Sequence, residues 1–267
     1  MERAEQYRAS VLTAVIWGLI QGLTEFLPIS SSGHLVIIPA FLNLWGFDVE
    51  PPSLAITAVL HLGTLAAVLV YFRHDLAKVL RFRTDPQGRT VGLMVAIGTL
   101  PALIGLPLAS SINRLQASVS GVGWALMATG LILYVGQMVA TGDRRLESIR
   151  IPDAVLIGIA QAVALIPGIS RSGSTISMGN SRGFDPQEAA RFSFLLGIPA
   201  IAGGGLLELL MISDTPAFDF DLLVGMVAAA VSGYFAIAFM LRSLNRVGLL
   251  PFCFYCLGVG LATVLVF

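Results

Sequence analysis

Six stretches of the chain are apolar with few interruptions: 53–72, 90–110, 118–140, 189–212, 220–241 and 247–267. At 1.5 Å per residue, about 20 such residues cross the hydrocarbon core of a bilayer. A lone strand leaves its backbone unpaired in lipid, so each stretch predicts a membrane-spanning helix. Two further apolar stretches, 10–45 and 154–178, are broken at their middle. The first break holds Gln21, Thr24, Glu25, Pro28, Ser30, Ser31, Ser32, Gly33 and His34; the second holds Gln161, Pro167, Gly168, Ser170, Arg171, Ser172, Gly173 and Ser174. Each pattern predicts helix, polar break and helix. Such a break survives at membrane depth only inside protein or against a wet cavity. Two re-entrant hairpins are therefore expected beside six spans.

Composition agrees: 56% of the 267 residues are apolar and 12% are charged, against about 25% charged in soluble domains. That balance excludes an ordinary soluble enzyme, a disordered chain and a nucleic-acid binder with a basic face. The formal charge is zero, so net charge points to no partner. Cys253 and Cys256 lie among Phe252, Phe254 and Tyr255, which predicts small buried apolar residues rather than a metal or redox pair. Glu2, Arg3, Glu5 and Arg8 precede the first apolar stretch without a cleavable-signal pattern, so that stretch is expected to be retained.

Ten of the 16 basic residues fall in three connections: Arg73, Lys78, Arg81, Arg83 and Arg89; Arg144, Arg145 and Arg150; Arg242 and Arg246. The positive-inside rule places these loops in the cytoplasm. The intervening connections hold few: none in 46–52, Arg114 alone in 111–117, and none in 213–219, which carries Asp214 and Asp219. Arg3 and Arg8 then lie outside, against this orientation, and Glu2 and Glu5 accompany them.

The two breaks also resemble each other. QGLTEFLPISSSGH at 21–34 and QAVALIPGISRSGS at 161–174 align at an offset of 140, matching Gln21 with Gln161, Ser30 with Ser170, Ser32 with Ser172 and Gly33 with Gly173. Each half then holds one hairpin and three spans, an odd number, so the second half is inserted upside down. The expected fold is an all-α polytopic membrane protein, one integral membrane domain whose halves, 1–141 and 151–267, form an inverted-topology repeat. In such folds the broken helices meet near the bilayer midplane, where the site lies.

Ionisable groups deep in apolar segments mark that site. Glu25 follows Gln21 by four residues, so one helical face presents both side-chain oxygens. The pair offers oxygen ligands to a hard divalent cation shared with phosphate, or forms a packing pair. Pro28–His34 brings three hydroxyls, a glycine and an imidazole into one break, where free amides and the dipole of the following helix suit an anion; His34 suits a general acid or base, or a structural hydrogen bond. Arg171 has the fork geometry that matches phosphate; it also suits an ion pair with Glu25 across the repeat, and the two roles are compatible. Ser170, Ser172, Ser174 and Thr175 surround it. His61, inside a span, suits either the cavity wall or a helix–helix hydrogen bond. Glu208 is expected near the interface and Ser193 near the site.

Gln21–His34 resembles the (E/Q)xxxE motif and its PxSSxGH break, and Pro167–Thr175 resembles the PGxSRSGxT motif, of the BacA/UppP-type undecaprenyl-diphosphate phosphatases. VLHLGTLAAVL, GTLPALIG and ARFSFLLGIPA also look like family segments. Glutamine rather than glutamate stands first in the motif here. The resemblance implies a bacterial inner-membrane hydrolase of undecaprenyl diphosphate that recycles the peptidoglycan lipid carrier and is associated with bacitracin resistance. It further implies a divalent cation (Mg²⁺ or Ca²⁺), a site facing the periplasm, and a homodimer. On that basis Gln21 and Glu25 hold the cation, and Ser31 attacks the terminal phosphorus or positions water. His34 takes the proton and Arg171 neutralises charge. Ser30, Ser32, Gly33, Ser170, Ser172, Gly173, Ser174 and Thr175 bind phosphate. The rival expectation is a secondary transporter or flippase for an anionic lipid, since broken-helix inverted repeats also build transporters.

Overall fold

The computed structural model describes residues 2–105, 118–211 and 220–267. Within them lie eleven α-helices: α1 Glu2–Phe26, α2 Ser31–Leu44, α3 Leu54–Tyr71, α4 Arg73–Leu80, α5 Pro86–Gly105, α6 Val119–Met138, α7 Ile151–Val163, α8 Arg171–Ser181, α9 Pro186–Met211, α10 Phe220–Leu244 and α11 Leu250–Val266. The only β pairing among these residues is one isolated bridge, Arg144 with Phe184. An all-α polytopic membrane protein results. The connections 111–117 and 213–219 and the side chains of Arg3 and Arg8 lie outside the described residues.

Every predicted span is helical over its described residues, which leave out 106–110 and 212, but not all reach spanning length. Four helices are long and apolar enough to cross a bilayer: α3, α6, α9 over Pro186–Glu208, and α10. The final helix, α11, is 17 residues long. The described part of α5 begins with the polar Pro86–Thr90 turn. Large apolar side chains such as Leu23, Trp124, Leu131, Phe235, Phe239 and Phe254 point outward, as lipid-facing positions must.

Both predicted breaks are present. The first hairpin is α1, a turn at Leu27–Ser30, and α2; the second is α7, a turn before Arg171, and α8. At 13 and 11 residues, α7 and α8 each rise roughly 15–20 Å, short of a bilayer core. The end of α8 returns to the start of α7, because Arg182 Nε donates to Asp153 at 2.9 Å. The second hairpin thus re-enters on the face it left. Arg144 completes this clasp: Nη2 donates to Asp153 at 2.8 Å, the guanidinium lies over the Phe184 ring, and its backbone bridges to Gly183 and Asp185.

Packing interlocks the two halves. Helix α1 of the first hairpin lies on α10 of the second half, and α7 of the second hairpin lies on α5 of the first. Helices α3 and α9 pair, as do α6 and α11. Under the 140-residue offset these contacts map onto one another, so each hairpin is seated by the opposite half. Close approach depends on glycine: a Cβ on Gly22 would meet the Ser232 hydroxyl and the Ala229 carbonyl of α10.

Candidate active site

The two breaks touch at the centre. Ser172 Oγ donates to the Leu27 carbonyl (3.2 Å), and Gly168 N–H donates to Ser32 Oγ (3.5 Å). The repeat is visible atom by atom. Ser30 Oγ accepts from Gly33 N–H at 3.3 Å and Ser170 Oγ from Gly173 N–H at 3.1 Å. In each turn the two outer serine hydroxyls lie 3.3 Å apart. These are N-caps, so α2 and α8 begin face to face at the same place. From behind, Thr129 of α6 fastens the second turn through the Gly168 carbonyl and the Ser170 amide.

Ser31 and Arg171 occupy equivalent positions, the first residue of α2 and of α8, and both meet one carboxylate. Ser31 Oγ donates to Glu25 Oε2 at 2.7 Å, and Arg171 Nη2 donates to Glu25 Oε1 at 3.0 Å. Gln21 Nε2 donates to Oε2 at 3.1 Å. Arg171 Nη1 is held by the Ser193 carbonyl at 3.2 Å, and Ser193 Oγ lies 2.6 Å from Thr175 Oγ1. Position 165, matching Glu25 in the second half, is leucine. The repeat therefore builds one symmetric frame and loads it with one carboxylate, one hydroxyl and one guanidinium.

These groups open into a cavity of about 180 Å³ whose polar wall is Thr24, Glu25, Ser30, Ser31, Ser32, His61, Ser170 and Arg171. Its other wall is apolar, with Leu165, Ile169, Ala200 and Ile201. A second cavity of about 240 Å³ shares Ser31, Ser32 and His61 with the first and adds Gln21, Pro51, Pro52 and Glu208. Positive helix ends, a guanidinium and neutral donors around open space suit a phosphoryl group.

Several expected residues stand elsewhere. His34 is buried away from both cavities: Nδ1 is 2.8 Å from the Ser30 carbonyl and Nε2 is 2.8 Å from Tyr255 Oη, with the two rings stacked. The Ser31 hydroxyl hydrogen-bonds to Glu25, not to His34. Gly33 and Gly173 spend their amides on the caps, and the Ser172 hydroxyl is spent on Leu27. Thr175 braces Ser193. Ser174 lines a separate apolar groove with Ser177 on the far side of α8. Cys253 and Cys256 are free and buried, and Cys256 packs against the Pro28 carbonyl.

Two contributors were not legible in sequence. Thr129 was one apolar-span threonine among several. Gly197 sits where a Cβ would fall 2.7 and 2.9 Å from Cζ and Nη2 of Arg171; its glycine makes room for the guanidinium.

No three His, Cys, Asp or Glu side chains converge to hold a metal among the described residues. A site shared with substrate does fit. Gln21 Oε1 is buried without a hydrogen-bond partner, beside the Glu25 carboxylate. A hard cation takes such oxygens and completes its shell with water and phosphate.

Fold and site together define a polytopic membrane protein whose two broken helices enclose a polar, anion-accepting cavity with a lipid-like wall. Residues 14–262 match the family described as Bacitracin resistance protein BacA, and the chain belongs to that family. It is 43% identical to an undecaprenyl-diphosphatase of Thermomicrobium roseum, over 96% of this chain and 98% of the relative. Identity is 40% to an undecaprenyl-diphosphatase of a Nocardioides species, over 94% of each chain. A third, from Halothermothrix orenii, is 38% identical over 96% of this chain and 97% of its own.

Proposed function

We propose that the protein hydrolyses undecaprenyl diphosphate to undecaprenyl phosphate and phosphate, recycling the lipid carrier of cell-wall synthesis. The observation that carries this reading is the convergence of Ser31 and Arg171 on the two oxygens of Glu25 at the cavity wall. A site that only bound and released a headgroup would need the guanidinium. It would not need a hydroxyl already hydrogen-bonded to a carboxylate.

The prenyl chain lies against the apolar wall and the diphosphate enters between the two helix starts. Arg171 and the first amides of α2 and α8 take up the phosphate charge. Phosphoryl transfer depends mainly on such positioning and charge stabilisation. Glu25 accepts the Ser31 proton as Oγ attacks the terminal phosphorus. Gln21 Oε1 and Glu25 would hold Mg²⁺ or Ca²⁺, which supplies positive charge to the phosphate oxygens when bound. The enzyme acts in the bacterial inner membrane, with the cavity facing the periplasm; the basic connections on the opposite side support that orientation.

The test is phosphate release from a polyprenyl diphosphate by purified protein, with and without chelator. Release that the chelator abolishes and Mg²⁺ or Ca²⁺ restores is expected, with Glu25→Ala and Arg171→Ala inactive but folded. No release would overturn the reading in favour of a transporter. Ser31→Ala at full turnover would make water the nucleophile.

A further inference from the structure

His61 and Glu208 form a pair that the mechanism above leaves unused. His61 stands on α3 and Glu208 on α9, and His61 Nδ1 lies 3.0 Å from Glu208 Oε2. The pair is inside the protein, with each side chain roughly four-fifths covered. His61 is in the wall common to both cavities, with Ser31 and Ser32. The chain has three histidines. Both ring nitrogens of His34 are engaged away from the cavities, and His74 lies on α4, outside both linings. His61 is the imidazole that reaches the reaction space. The charged groups around it are Glu208 from α9, Glu25 from α1 and Arg171 from α8.

A carboxylate on Nδ1 fixes the ring and its tautomer and leaves Nε2 to exchange a proton. Glu25 already serves Ser31, so a second acid–base group has a different proton to handle. On the phosphatase reading, we propose that His61 is the proton donor to the departing lipid phosphate and that Glu208 is its positioning residue.

The protons balance through one cycle. Ser31 Oγ bonds to the terminal phosphorus and gives its proton to Glu25. The bond from that phosphorus to the bridging oxygen breaks, and the bridging oxygen leaves with the electron pair and takes the proton from His61 Nε2. Water then attacks the phosphoserine and returns one proton to Nε2. Ser31 Oγ departs and recovers its proton from Glu25, and phosphate and lipid phosphate leave.

The experiment compares a polyprenyl diphosphate with its analogue bearing sulfur at the bridge, since a thiolate departs without protonation. Wild type, His61→Gln and Glu208→Gln are assayed at saturating substrate. His61→Gln is expected to lose about 100-fold in kcat on the oxygen substrate, a usual size for one acid–base group. On the sulfur substrate the loss should shrink to within about fivefold. Glu208→Gln should follow the same pattern more weakly, with KM little changed. Equal losses on both substrates would overturn the proposal and make the pair a strut between α3 and α9. Full His61→Gln activity on the oxygen substrate would also overturn it. If wild type released no phosphate from either substrate, the phosphatase reading itself would fall; that outcome is separate from both.

Discussion

Gly197→Ala tests whether the place of Arg171 is set by a missing side chain. The added Cβ would stand 2.7 Å from Cζ and 2.9 Å from Nη2, and closer still to Nη1. A carbon needs about 3.5 Å from such atoms, so the guanidinium must retreat by roughly an ångström or more. Arg171 Nη2 reaches Glu25 Oε1 at 3.0 Å and Nη1 reaches the Ser193 carbonyl at 3.2 Å. A retreat of that size breaks one of them. A hydrogen bond to a charged group contributes about 1.5–3 kcal/mol, so kcat/KM should fall roughly 10- to 100-fold. Alanine is the better helix former by about 1 kcal/mol, which offsets only part of that loss, so the Tm in detergent should fall slightly. The assay is phosphate release alongside a melting curve, with Arg171→Ala and the double variant completing a cycle. Because both changes act on one guanidinium, the double variant should be no slower than Arg171→Ala alone. Wild-type activity in Gly197→Ala, or additive losses in the double variant, would refute the reasoning.

Two more predictions concern the frame and its orientation. Asp153 is buried and accepts from Arg144, Arg182 and the Arg150 amide at 2.8, 2.9 and 3.1 Å. Asp153→Ala should lower stability by about 2–3 kcal/mol, read as a lower Tm in detergent, with the activity of the molecules that remain folded unchanged. An unshifted Tm would show that the clasp does not hold the second hairpin. A cysteine at exposed Arg83 (Arg83→Cys) should react with an impermeant thiol reagent only from the cytoplasmic side; labelling from outside would reverse the orientation.

Much of the architecture was legible before any coordinates because lipid imposes it. Where water is absent, apolar length predicts helix and a polar break predicts a turn buried in protein. The runs that became α3, α6, α9 and α10 and the two hairpins could be read directly. Run length overstated the end segments: α11 closes at 17 residues, because the turn before Leu250 takes up Val247–Leu249. Glu25 and Arg171 stood out in the sequence because charge deep in an apolar segment is costly, and Ser31 came with them as a hydroxyl of the first break.

What sequence left open was which groups face one another. His34 lies thirteen positions after Gln21, yet its imidazole turns from the cavity to Tyr255, which lies 221 positions away. His61 stood as either wall or strut until α3 and α9 packed together and it became both. Gly197 carried no signal, since a glycine in a spanning helix more often marks close packing than room for a guanidinium. Hydropathy is a property of a segment, so one sequence determined the helices, the breaks and the family. Direction is a property of packed pairs: only when each hairpin settled on the opposite half did one carboxylate meet the hydroxyl of one break and the guanidinium of the other.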